Sequence, residues 1–211
     1  AGTSSVHDGH IRFSGPTTTK RTKTVVDADA TILEVSQTTI TKSEYLPIRY
    51  AEDDDSGNTP ATVSELTTST AVARLFDAST DESVIFWWQV PMDYVGGIKY
   101  RVYYGLVAST TTDSTAAFAL AGCSVARGEA LICSEGTAII IAQAQSTTTD
   151  HAWDILVTSW SSAVDVTGIA SGEMARLLFY RDVSEDTVSG DLGVIGVEIK
   201  YQAKINAGSE Y

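Results

Sequence analysis

The chain reads as an all-β protein, an antiparallel β-sandwich of jelly-roll type behind an extended N-terminal arm. Three observations predict this. Val, Ile and Thr together make up 61 of the 211 residues, a composition that suits pleated, half-buried surfaces better than helices. Short apolar runs recur at close spacing between clusters of Gly, Pro, Asp, Ser and Thr, as in sandwiches and jelly rolls. Several of those runs alternate apolar and polar residues with a period of two, which places one face in a core and one in water.

Residues 1–30 form the arm. Gly2, Gly9, Gly15, Pro16 and the run Thr17-Thr18-Thr19 leave little apolar periodicity, so irregular or extended structure docked on a neighbour is expected there. Residues 31–211 form the jelly-roll domain. Strands are expected over 31–41, 44–50, 70–77, 83–90, 97–108, 115–126, 130–133, 137–145, 151–159, 173–181 and 192–203, with a short helix allowed within 61–75. In 192–203, Ile195, Val197, Ile199 and Tyr201 share one face, and Glu198, Lys200 and Gln202 share the other. In 97–108, Ile98, Tyr100, Val102, Tyr104 and Leu106 alternate with Lys99, Arg101 and Tyr103. The run 83–90 departs from this pattern. Val84, Phe86, Trp88 and Val90 line one side, yet Ile85 and Trp87 make the other side apolar too, so it needs a second cover from another segment, another subunit or a ligand.

Composition removes several functions. Hydrophobic residues are 43% of the chain and charged residues 19%, enough for a sizeable core and too apolar for wholesale disorder. No apolar run approaches the roughly 20 residues needed to span a bilayer as a helix, so no membrane partner is expected. A net charge of −13 repels phosphate backbones, and no nucleic-acid partner is expected either. Lys20, Arg21 and Lys23 are a local exception, a basic stretch of the arm that either contacts an acidic partner or is simply solvated. The polar start at Ala1 fits either a removed signal peptide or a clipped initiator Met, which imply different compartments.

Cys123 and Cys133 sit symmetrically about Gly128. A three-residue hairpin loop at 127–129 would set them opposite one another on paired strands, where they either form a disulfide or remain two small buried thiols. No CxxC motif or Cys/His cluster points to zinc. A calcium loop is the one metal reading, with oxygen donors at Asp54, Ser56, Asn58, Thr62 and Glu65. Thr59 stands where such a loop turns on Gly, so a solvated acidic turn is the competing reading. The loop with Asp182, Glu185, Asp186 and Asp191 raises the same question. His7 and His10 form an H-x-x-H pair within the arm, and His151 follows the turn residue Asp150.

Catalysis leaves no signature: G-x-S-x-G and phosphate-binding glycine loops are absent, and the chain has three His. No enzymatic activity and no cofactor are expected. Trp87, Trp88, Tyr94, Trp153 and Trp160 offer an aromatic platform for sugar rings, but aromatics equally build cores and subunit interfaces. Trp88 is expected inside; Trp87 and Ile85 are the expected interface residues.

Two stretches carry a resemblance. The segment 82–105, with Trp88, Val90, Pro91, Asp93 and Tyr94, and the segment 179–201, with Arg181, Asp182, Asp186, Thr187, Gly196, Val197, Ile199 and Tyr201, resemble segments of β-sandwich structural proteins of tailed-bacteriophage virions. The resemblance covers about a quarter of the chain. It implies a virion structural protein, a capsid decoration or cement subunit, working as a homotrimer against a major capsid protein or another virion protein, with no catalytic residues to carry over. Folding roles follow for the matched residues: Pro91 ends the Trp strand, Asp93 caps the turn, Gly96-Gly97 lets the chain reverse, and Arg181 clamps a loop through Asp182 or Asp186. The alternatives are a tail or fibre component binding a host-surface glycan, and a secreted self-assembling filament or surface subunit, located outside the cell rather than in a virion.

Overall fold

The two stretches with the clearest alternation are the longest strands of the structure, Tyr94–Leu106 and Leu192–Lys204, and they pair with each other. The structure, a computed structural model, describes residues 11–13, 21–23, 39–54, 59–65, 72–109, 112–131, 133–146 and 150–205. In chain order its strands are β1 (Ile11–Phe13), β2 (Arg21–Lys23), β3 (Thr39–Pro47), β4 (Glu52–Asp53), β5 (Thr59–Pro60), β6 (Thr62–Glu65), β7 (Val72–Phe76), β8 (Glu82–Gln89), β9 (Tyr94–Leu106), β10 (Ser114–Val125), β11 (Ile139–Gln145), β12 (Leu156–Val157), β13 (Val166–Thr167), β14 (Met174–Arg181) and β15 (Leu192–Lys204).

The fold is an all-β sandwich of two antiparallel sheets, with no α-helix among the described residues. The first sheet runs β11-β10-β14-β8-β4, with β13 beside β10 and β5 beside β8 in short parallel pairings. The second runs β12-β9-β15-β7-β6, and β3 joins β15 beyond β7. Between them lie Phe76, Phe86, Trp88, Tyr100, Tyr104, Phe118, Leu120, Leu177 and Phe179, each 3% exposed or less. Burial of each such side chain contributes about 1.5–3 kcal/mol. Trp88, expected inside, is 1% exposed, and its indole N–H donates to Glu44 Oε2 at 2.8 Å.

Several expectations need correction. The described residues of 61–75 hold no helix: Thr62–Glu65 and Val72–Phe76 pair antiparallel, and Arg74, Leu75 and Phe76 also pair with β15; residues 66–71 lie outside the described residues. The described residues of 130–133 are not strand, and only Leu156–Val157 of 151–159 is one. Gly96 and Gly97 do not reverse the chain. Both have positive φ inside β9, where a register shift against β15 marks an irregularity, and the reversal comes earlier, at Pro91–Tyr94, closed by Tyr94 N–H to Pro91 O at 3.0 Å. Within residues 1–30, Ile11–Phe13 and Arg21–Lys23 form a two-stranded antiparallel ribbon, and the rest of that stretch lies outside the described residues.

The hairpin expected around Gly128 exists in a different register. β10 pairs β11 with Ser114 opposite Gln145 and Leu120 opposite Ile139, which sets the axis of the hairpin beyond Gly128. Cys123 is instead flanked in the sheet by Arg176 of β14 and Thr167 of β13. It is bonded to Cys133, with Cα atoms 6.0 Å apart. The bridge therefore ties the wide 126–138 connection back to the first sheet instead of joining two opposed strand positions.

Candidate ligand-binding face

Each sheet has an outer face, and the two are treated differently. On the first sheet, the outward residues of β8 and β14 include Ile85, Trp87, Arg176 and Leu178, with Ile85 opposite Leu178 and Trp87 opposite Arg176. Arg176 ion-pairs with Glu135 and with Asp54, which is buried and also accepts the Ser83 hydroxyl at 2.7 Å. Segments on either side of the sheet are thus tied onto this face. The second cover that β8 requires comes from the chain itself: Ile85 is 5% exposed in the single chain and cannot serve as an accessible interface residue, which corrects that expectation. Trp87 stays half-buried, its indole N–H held by Glu52 Oε2 at 2.9 Å.

The outer face of the second sheet is open and differently built. Alternation along β9 turns Lys99, Arg101, Tyr103 and Gly105 outward, against Lys200, Glu198, Gly196 and Gly193 of β15 in register. On the other side of β15, Tyr45 stands opposite Glu198 and Ser43 opposite Lys200. The Tyr45 and Tyr103 rings meet edge to face with centroids 5.5 Å apart. Tyr45 lies over Gly196, where a side chain would collide with its phenol. Trp153 lies over the Gly105–Gly193 pair in the same way; a Cβ on Gly193 would stand 3.1 Å from Trp153 Cζ3. Trp153 also has a φ of 66°, the left-handed region, and among the described residues it is the sole non-glycine there. Its N–H donates to Leu106 O at 2.8 Å, which keeps the turn against the sheet.

Trp160 enters from the edge. The segment after β12 runs beside β9 as an irregular strand, with backbone bonds from Thr158, Ser161 and Val164 to Val102, Tyr100 and Ile98. Where the ladder is broken, the hydroxyls of Ser161 and Thr158 accept the N–H groups of Tyr100 and Val102. That backbone sets the indole of Trp160 beside Arg101, whose Cζ is 4.7 Å from the ring centroid, and Lys200, whose Nζ is 3.9 Å away.

One carboxylate anchors the centre of the face. Glu198 Oε2 accepts Arg101 Nε at 2.8 Å and the Tyr103 hydroxyl at 2.8 Å. Burial pushes the Glu198 carboxyl up, but the hydrogen bonds from Tyr103 and Arg101 outweigh it and hold it below its ordinary value. The Tyr103 hydroxyl is raised, first by its bond to Glu198. Beyond the rings, Ile155 and Val157 add exposed apolar surface at 71% and 39%.

The remaining sequence-derived candidates are placed as follows. Lys20, Ser56, Asn58, His7 and His10 lie outside the described residues, while Arg21 and Lys23 are on β2, where they pair in register with Phe13 and Ile11. Glu65 ends β6. Of the calcium-loop donors, Asp54 has its carboxylate 3.5 Å from the Arg176 guanidinium. In the loop after β14, Asp186 is ion-paired with Arg181. His151 is exposed and meets Asp154 at 3.3 Å, while Asp150 accepts Ser146 N–H as a turn residue. The five-aromatic platform is divided: Trp88 and Tyr94 pack together with centroids 6.1 Å apart, Trp87 is on the first sheet, and Trp153 and Trp160 are on the second. Sequence reasoning missed Tyr45, Tyr103 and Glu198 as partners of those two tryptophans. The outward set Lys99, Arg101 and Tyr103 was the available signal.

No protein-family model matches this chain, and no curated protein matches it. Among solved structures it is similar to a family 11 carbohydrate-binding module from Clostridium thermocellum, in complex with a β-1,3-1,4-mixed-linked tetrasaccharide, at 11% identity and a TM-score of 0.34 over 84% of this chain and 94% of that one. It is also similar to TmCBM61, in complex with β-1,4-galactotriose, at 11% identity and a TM-score of 0.33 over 78% of this chain and 88% of that one. Nothing in these comparisons links the chain to bacteriophage virions.

Proposed function

We propose that this chain is a non-catalytic saccharide-binding β-sandwich that takes a glycan along the outer face of its second sheet. The observation that carries this reading is the composition of that face. Trp153, Tyr103 and Tyr45 present ring surface to solvent, and Arg101, Glu198, Lys200 and Ser43 interleave donors and acceptors between them. Sugar rings have apolar C–H faces and a rim of hydroxyls, and need both kinds of partner. A subunit interface makes the opposite choice, since Lys and Glu are depleted from interface cores. From Gly105 to Lys99 the face runs about 20 Å at the usual strand rise, room for several sugar units. The Cys123–Cys133 bond suits an exported or virion-borne module, such as a tail component attaching to a host surface.

The test is affinity electrophoresis against a panel of polysaccharides, with Tyr45→Ala, Trp153→Asn and Trp87→Ala. Asn tolerates the left-handed φ of position 153, so that variant removes the ring without adding backbone strain. Retardation lost in the first two and retained in Trp87→Ala is the expected result. Loss in Trp87→Ala alone would move the site to the first sheet. The capsid-cement reading predicts instead that Trp87→Ala abolishes association with particles, which co-sedimentation with shells would reveal.

A further inference from the structure

The Trp160 end of this face breaks a rule of sheet construction. Lys99 and Lys200 stand directly opposite one another on β9 and β15, and like charges at such positions destabilise a sheet. Arg101 lies one pair further along on the same side, and Glu198, the carboxylate opposite it, is already engaged by Arg101 and Tyr103. Neither lysine ion-pairs with a described residue, although the chain carries 27 acidic residues against 14 Lys and Arg. The Lys200 ammonium is pushed below its ordinary value, first by burial and then by Lys99 and Arg101. Trp160 adds an aromatic wall to the cluster. Among the described residues the Trp160 ring and the Glu198 carboxylate only partly offset this repulsion, and a negative group placed between the lysines would relieve the rest.

We propose, resting on the saccharide-binding reading, that the ligand is an anionic glycan whose carboxylate or sulfate groups sit between Lys99 and Lys200 at the Trp160 end of the face. Neutral rings further along would lie over Tyr103, Tyr45 and Trp153. The overall charge of −13 does not forbid this. Exposed charges act over a Debye length of about 8 Å at physiological salt, so the nearest cations dominate what an acid group feels.

The probes are polygalacturonate for carboxylate, dextran sulfate for sulfate, and neutral galactan and dextran, titrated calorimetrically in low and high salt. At least one acidic polymer is expected to bind about tenfold more tightly than either neutral one, with the difference shrinking as salt rises. Lys99→Gln with Lys200→Gln is expected to erase that preference, each lysine being worth roughly a few-fold at an exposed site. The same double variant is expected to melt no lower than the parent, because it removes repulsion, so lost binding cannot be ascribed to misfolding. Which acidic polymer binds separates the carboxylate source from the sulfate source. Equal affinity for neutral and acidic polymers, or full affinity in the double variant, overturns the anionic assignment and leaves the saccharide reading standing. Binding to none of the four polymers counts against the anionic assignment; if the wider polysaccharide panel is negative as well, both readings fall.

Discussion

Replacing Arg181 by Met tests whether one buried guanidinium holds the two sheets together. Arg181 is fully buried at the end of β14, and all five of its N–H donors are used. Nε and Nη2 bind the two oxygens of Asp186 at 3.0 and 2.8 Å, Nη2 also reaches Val188 O at 2.7 Å, and Nη1 reaches Phe76 O at 3.0 Å and Gly190 O at 2.9 Å. Phe76 belongs to the second sheet and Gly190 leads into β15, so this one side chain stitches both layers and the 182–191 connection. Asp186 in turn accepts the N–H groups of Ala117 and Val188. Met fills similar volume but leaves Asp186 charged and buried, and three carbonyls without their donor. Breaking a buried ion pair from one side costs about 3–5 kcal/mol. For a domain of this size that is a fall of roughly 6–20 °C in Tm. Urea denaturation of Arg181→Met, Asp186→Asn and the double variant measures it. The double variant is expected to lose less than the sum of the singles by about 1 kcal/mol or more, since neither leaves the other's charge stranded. A loss under about 1 kcal/mol in Arg181→Met, or simple additivity, would mean that this guanidinium does not hold the sheets together.

Three further outcomes are expected. Gly193→Ala should displace the Trp153 ring, which a new Cβ meets at 3.1 Å, and weaken saccharide binding while changing the melting temperature little; tryptophan fluorescence and affinity electrophoresis read the two effects. Cys123→Ser with Cys133→Ser should cost about 3 kcal/mol by the loop-entropy estimate for a closure of 10 residues, visible as a lower urea midpoint without a change in sheet content. The lowered Glu198 carboxyl adds stability that is complete above its ordinary value of 4.5 and fades as pH falls through the lower folded value. The gap between melting curves of the parent and Glu198→Gln should therefore be widest near pH 6 and narrow progressively as the pH falls below 4.5; a gap that does not narrow in acid would exclude this linkage.

Strand content was legible because alternation is local. Each residue of 97–108 or 192–203 declares its face through its neighbours two positions away, with no knowledge of the partner strand. Pairing was not legible where symmetry misled: centring a hairpin on Gly128 ignores that Ile139 and Ile141 must reach Leu120 and Phe118, and that requirement sets the register of β10 and β11. The loop clamp was half legible, since Arg181 was set against Asp182 or Asp186 but the two carboxylates were equivalent until the connection closed on Asp186. The open face was the least legible. Tyr45, Tyr103, Trp153 and Trp160 come from four separate segments, and only the order β3-β15-β9 with its edge segment brings them onto one surface.

The departures from local design rules converge on that same surface, and this is the strongest reason to look there for function. Gly105, Gly193 and Gly196 lie within long strands, where a glycine weakens packing and adds backbone entropy to be lost on folding. Trp153 holds a bulky side chain at positive φ, a conformation that costs about 1–2 kcal/mol. Lys99 faces Lys200. On the first sheet the comparable anomaly, a strand apolar on both sides, is resolved within the chain by the cover over Ile85. On the second sheet no described carboxylate ion-pairs with Lys99 or Lys200, and on the proposed reading each departure has a use if rings must lie flat on the backbone and the lysines must meet an anion. Glycines lower the floor so that Trp153 and Tyr45 can recline on it, the left-handed turn places Trp153 against β9, and on the proposed reading the lysine pair keeps its charge for an anion. Natural sequences accept such local conflicts chiefly where a site demands them. Three independent kinds of departure gather on one face while the opposite face is covered from within the chain, and this asymmetry is what the proposed binding surface rests on.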